Sequence, residues 1–68
     1  MTAVERAVLL SVRSTLAYEL QRYEASVAYW STGDGAGKTN ADKNIRYNTS
    51  RIDAIKTSIE QINLLVSE

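Results

Sequence analysis

The sequence predicts an all-α fold, an antiparallel two-helix hairpin with a Gly-rich connecting loop, on three observations. An apolar series, Ile45, Ile52, Ile55, Ile59, Ile62 and Val66, advances in steps of seven, three, four, three and four residues and so keeps to one side of a helix. An earlier series, Leu9, Val12, Leu16, Leu20, Tyr23, Val27 and Trp30, offers a matching stripe. Between the two stand Gly33, Asp34, Gly35, Ala36 and Gly37, residues suited to a chain reversal. Each stripe needs a partner surface, and the other stripe supplies one.

The first helix should begin at Thr2. Thr2 and Glu5 have the S/T-x-x-E spacing of a capping box, in which a side-chain oxygen and a carboxylate satisfy free amides at a helix start. No proline or glycine interrupts the chain from there to about Ser31, which gives a helix of about 43 Å at 1.5 Å per residue. Gly33 is the expected terminator, because glycine enters the left-handed conformation at little cost.

A second, weaker face of this helix carries Val4, Val8, Tyr18 and Tyr29, with Ser11, Thr15, Arg22 and Ser26 between them. One partner helix cannot cover two faces nearly opposite each other, so a contact with another chain is expected here.

Two starts compete for the second helix. Thr39 with Asp42 makes one capping box and Ser50 with Asp53 another. The first gives a helix from about Asn40 to Val66; the second leaves Asn44 to Thr49 free for a short extended or kinked segment. The longer helix is preferred because Ala41 and Ile45 continue the stripe in phase and the connection shortens to about eight residues. Asn44, Asn48, Thr49 and Ser50 are mediocre helix formers, and a kink near Asn48 would accommodate them.

At 68 residues the chain holds a single domain, 1–68, and a domain of this size buries a limited fraction of its surface. It has no cysteine and no histidine, so neither a disulfide framework nor the usual zinc sites can reinforce it. Support from other subunits or a larger partner is expected. Eight Lys and Arg balance eight Asp and Glu, which gives no general affinity for nucleic acid or an anionic membrane. Lys38, Lys43, Arg46, Arg51 and Lys56 cluster in mid-chain, but Asp34, Asp42 and Asp53 are interspersed, as on a solvated face of mixed charge. No apolar run approaches the ~20 residues that span a bilayer. The amino terminus lacks the pattern of a secretion signal, so a soluble protein made in the cytoplasm is expected.

Motifs that would carry chemistry fail on inspection. Gly35-Ala36-Gly37-Lys38-Thr39 ends like a phosphate-binding loop, yet Thr32 stands where that pattern requires glycine, and a helix precedes it instead of a strand. Asp34, Asn40 and Asp42 miss the spacing of a calcium loop. Asn48-Thr49-Ser50 fits a glycosylation sequon, which has no meaning outside the secretory pathway. Glu19, Glu24 and Glu60 are helix-surface charges, and no nucleophile stands beside a base. The chain is therefore not expected to be an enzyme, with no catalytic residues, no cofactor, no metal and no small-molecule substrate.

Tyr29-Trp30-Ser31-Thr32-Gly33-Asp34-Gly35 and the stretch from Asn48 to Ile62, with its Ser/Thr start and its isoleucines, resemble the small head-to-tail joining proteins of tailed phages, the gpW type. That family carries a two-stranded hairpin between its helices, whereas Asn44 to Thr49 provides too few alternating apolar residues for one. The resemblance implies a virion structural protein made in the host cytoplasm, an adaptor repeated in a symmetric ring. Its partners would be other copies of itself and portal or tail components. The candidate interface residues are Val4, Val8, Tyr18, Arg22, Tyr29, Trp30, Ile45 and Ile52. Alternatives are a self-associating helical bundle, since two hairpins give four helices, or a small regulatory binding module.

Overall fold

The computed structural model describes residues 1–67, and two helices account for its regular structure. Helix α1 spans Ala3–Ser31 and helix α2 spans Ala41–Val66. Asn48 bonds to Ser26 near one end of the pair and Arg6 to Val66 at the other, so the helices run antiparallel. The hairpin is a rod of 49 × 14 × 13 Å, and no strand occurs among the described residues.

Helix α1 starts on the capping box. The Glu5 amide donates to Thr2 Oγ1 at 3.0 Å, and the Thr2 amide donates to Glu5 Oε1 at 2.9 Å. These bonds hold the Glu5 carboxyl below the usual carboxylate range, the Thr2 backbone amide contributing most and the Thr2 side chain next.

Thr32 ends the helix, its amide bonded to Ala28 O at 3.0 Å. Gly33 follows with its own amide on Ala28 O at 2.9 Å. It does not adopt the left-handed conformation expected of it; Gly37 does, at φ 78°. Gly33 is needed for closeness instead, since a Cβ there would lie 3.0 Å from Tyr29 Cα.

The loop is folded onto the end of α1. The Gly35 amide donates to Tyr29 O at 3.0 Å, and three further bonds, Ala36 to Gly33, Lys38 to Gly35 and Ala41 to Lys38, wind the chain into α2. Gly35 is buried against the Tyr29 and Trp30 rings: a Cβ would fall 2.6 Å from Tyr29 Cε1 and 2.7 Å from Trp30 Cε3. The two rings meet edge to face, with centroids 4.9 Å apart.

Helix α2 takes the longer of the two expected courses. It runs through Asn44 to Thr49, so that segment is neither extended nor a break, and Ser50 with Asp53 lies inside the helix. The Thr39–Asp42 box does not form either. Asn40 occupies the N-cap without a side-chain bond, and the Asn44 side chain donates to Asn40 O at 2.9 Å.

The seam between the helices is a heptad repeat on both sides. On α2 it comprises Ala41, Ile45, Asn48, Ile52, Ile55, Ile59, Ile62 and Val66, in alternating steps of four and three. Asn48 fills the place that leaves a seven-residue gap in the apolar series. It is 6 % exposed, and its amide donates to Ser26 Oγ at 3.0 Å and to Asn44 O at 2.8 Å. A buried polar group in a seam is tolerated when it is bonded in this way.

On α1 the seam is Leu9, Arg13, Leu16, Leu20, Tyr23, Val27 and Trp30, all half-buried. Val12 is not part of it, being 44 % exposed. The four-three alternation fixed by Leu16 to Trp30, carried back one turn, lands on Arg13 and Leu9 and leaves Val12 outside. The Arg13 guanidinium reaches across to Asn63 Oδ1 at 2.7 Å, so its stem lies in the seam and its charge at the edge. With Arg6, which donates to the Val66 carbonyl, it places two cations beside the carboxyl end of α2, whose own last turn has none.

Candidate protein–protein interface

The eight expected interface residues divide between two places. Ile45, Ile52 and Trp30 are half-buried in the seam, where they face the other helix of the same hairpin. Val4, Val8, Tyr18, Arg22 and Tyr29 stay on the outer surface of α1, with Val4 73 %, Tyr18 64 % and Val8 56 % exposed. Tyr29 also has work inside the molecule. Its ring covers Gly35 and Trp30, and the Lys38 ammonium stands 5.9 Å from its centroid, within cation–π range.

The outer residues form a second heptad series. Val4, Val8, Ser11, Thr15, Tyr18, Arg22, Ala25 and Tyr29 alternate in steps of four and three, as the seam does. Helix α1 therefore carries two stripes, and α2 covers one of them. No residue of α1 is buried, whereas α2 buries five.

The two helices also share a flank beside the seam. Arg22 and Ser26 of α1 line a shallow depression there together with Glu19, Tyr23 and Asn48, whereas Val4 and Tyr18 of the second stripe lie on the far side of α1, away from α2. The Arg51 guanidinium lies 5.8 Å from the Tyr23 ring centroid on this side. Leu65, two heptads beyond Arg51 and so on the same face, is 46 % exposed and borders a groove with Met1, Thr2 and Ala3.

Val12 and Leu65 join this flank as exposed apolar residues, and neither exposure was legible in the sequence. Val12 fits a seam position locally. Leu65 is one of two adjacent leucines, and only its register relative to Arg51 distinguishes it from Leu64.

Along this flank Val8, Val12 and Leu65 lie at the open end of the hairpin together with Glu5, one heptad before Val12, and Arg22, Glu19, Ser26, Arg51 and Tyr29 lie toward the loop. The depression among the polar residues holds no unpaired buried side-chain group; Asn48, its one buried member, is bonded to Ser26 and Asn44. Among the described residues no helix is long and apolar enough to cross a membrane. Compared with known proteins, the chain matches no family model, no curated protein sequence and no solved structure.

Proposed function

We propose that this chain is a structural assembly subunit, a helical hairpin whose outer flank is covered by other helices, with no catalytic role. The observation that carries this reading is the second heptad stripe of α1, which repeats the spacing of the seam but has no partner within the chain. Val4 and Val8 stand on successive turns of this face, and Tyr18 and Tyr29 further along it, with Ser11, Thr15, Arg22 and Ala25 between them. Support from neighbours also suits a hairpin whose buried apolar residues are Ala41, Ile55, Ile62 and Val66.

The resemblance to phage head-to-tail joining proteins gives the proposal a setting: a virion component made in the host cytoplasm, repeated around the portal–tail junction. Helix α2 is continuous where that family has its two-stranded hairpin. The proposal therefore rests on the outer flank rather than on the resemblance.

The test is the solution mass of the full chain by light scattering over a concentration series, with circular dichroism on the same samples. Association that rises with concentration, accompanied by a gain in helicity, is expected. A fully helical monomer throughout the series would refute the proposal.

A further inference from the structure

We propose that Asp34 is a site of spontaneous isomerisation to isoaspartate, held in check by the packing of Gly35 against the end of α1, so that opening of the loop sets its rate.

The chemistry starts from the sequence. Asp34 is the one Asp or Asn of the chain that precedes a glycine. In the reaction the Gly35 nitrogen attacks Asp34 Cγ. The nitrogen–carbon bond forms, the amide proton and the hydroxyl of the protonated carboxyl leave as water, and a five-membered imide results. Water then adds back at either imide carbonyl. Addition at Cγ restores aspartate; addition at the α-carbonyl gives isoaspartate, with the same mass. Glycine favours the attack because it has no Cβ to shield its nitrogen and few limits on its backbone. Asp42 and Asp53 stand inside α2, where the helical backbone keeps each carboxyl from the following nitrogen.

In the folded hairpin the attack is blocked at the nucleophile. Asp34 is exposed, but Gly35 is buried against the Tyr29 and Trp30 rings, and its amide donates to Tyr29 O at 3.0 Å. That nitrogen must leave its bond before it can reach Cγ, a local opening that spares the helices.

The product does not fit back. Asp34 links two glycines whose amides are held on consecutive carbonyls of α1, Gly33 on Ala28 O at 2.9 Å and Gly35 on Tyr29 O. Isoaspartate adds one carbon to the main chain between them, so the two bonds cannot both re-form in place. An opening that ends in isoaspartate therefore leaves the Trp30 end of the hairpin uncovered.

The full chain is incubated folded and, in guanidinium chloride, unfolded, at one pH and temperature, and isoaspartate at position 34 is quantified by electron-transfer fragmentation after digestion. Hydrogen exchange is measured on the folded sample. The folded chain is expected to isomerise more slowly than the unfolded one by the factor that protects the Gly35 amide from exchange. A different factor, whether none or that of the core amide of Ile55, would overturn the proposal, because the loop packing would then not set the rate. In the isolated isoaspartate form the Trp30 emission is expected to shift with helicity retained. An unchanged emission would show that the loop repacks and would overturn the block to refolding.

Discussion

Helices α1 and α2 use the same four-three alternation to different ends. Helix α2 has one stripe and presses it into the seam, burying Ala41, Asn48, Ile55, Ile62 and Val66. Helix α1 has two stripes and buries nothing: its seam residues are half-covered and its outer valines and Tyr18 are open. A two-helix rod can enclose one line of side chains, so a second line on α1 stays open to water in the hairpin; under the proposed function another molecule covers it.

The sharpest way to break this comparison is to truncate one side chain from each class. Ile55 is 2 % exposed, and Ile55→Ala should cost about 2–5 kcal/mol in chemical denaturation. Val4→Ala, measured at a dilution where the chain is monomeric, should change stability by less than about 0.5 kcal/mol. Equal losses would mean that the two stripes are covered alike within the hairpin.

Gly35→Ala tests the closed end. Its new Cβ cannot coexist with the Tyr29 and Trp30 rings in place, so a loss of about 1–3 kcal/mol is expected. The emission of Trp30, the single tryptophan, should shift as the ring is displaced. An unchanged spectrum would contradict the packing of the loop against α1.

Asn48 is the polar member of the α2 seam and should act on register more than on stability. Replacing both partners, Asn48→Leu with Ser26→Ala, should leave stability unchanged or raise it by up to about 1 kcal/mol. The amide spectrum should then show more than one species, as the helices lose the buried polar pair that helps to distinguish their alignment. A single sharp set of resonances would show that the isoleucines and the Arg13–Asn63 and Arg6–Val66 bonds suffice to fix the register.

The smallest effect concerns the start of α1. The lowered pKa of Glu5 means that its contribution is complete above the unfolded-state value of ~4.3 and is lost as pH falls through the lower folded value. Amide protection in the first turn should therefore weaken only in acid. Thr2→Ala should remove about 1 kcal/mol and reduce that pH step without abolishing it, because the amide of residue 2 still donates to the Glu5 carboxylate. Complete loss of the step in the variant would contradict the leading part given to the backbone amide.

Much of the hairpin was legible in the residues because caps and apolar periodicity act locally. Thr2 and Glu5 marked the start of α1, the absence of breakers carried it to Ser31, and the phase of Ala41 and Ile45 favoured the long α2. What escaped the sequence depended on the other helix or on ring packing. Asn48 reads as a weak helix former until Ser26 is seen opposite it. Arg13 reads as surface until Asn63 accepts its hydrogen bond, and the choice between Val12 and Arg13 is settled only by the register downstream. Thr39 and Asp42 have the right spacing for a cap, but the turn at Lys38 to Ala41 brings Asn40 to that place instead. Among the interface candidates, Ile45, Ile52 and Trp30 turned inward because an apolar stripe does not announce which neighbour covers it.

The central claim is that the outer stripe of α1 is an interface, and the most direct test compares the solution mass of the parent chain with that of Val8→Glu over the same concentrations. Glutamate is a good helix former and suits the amino-terminal half of a helix, so the substitution leaves the hairpin itself undisturbed. The account predicts that the parent associates and that the variant stays monomeric at least tenfold higher in concentration. Identical masses for the two chains at every concentration would contradict it.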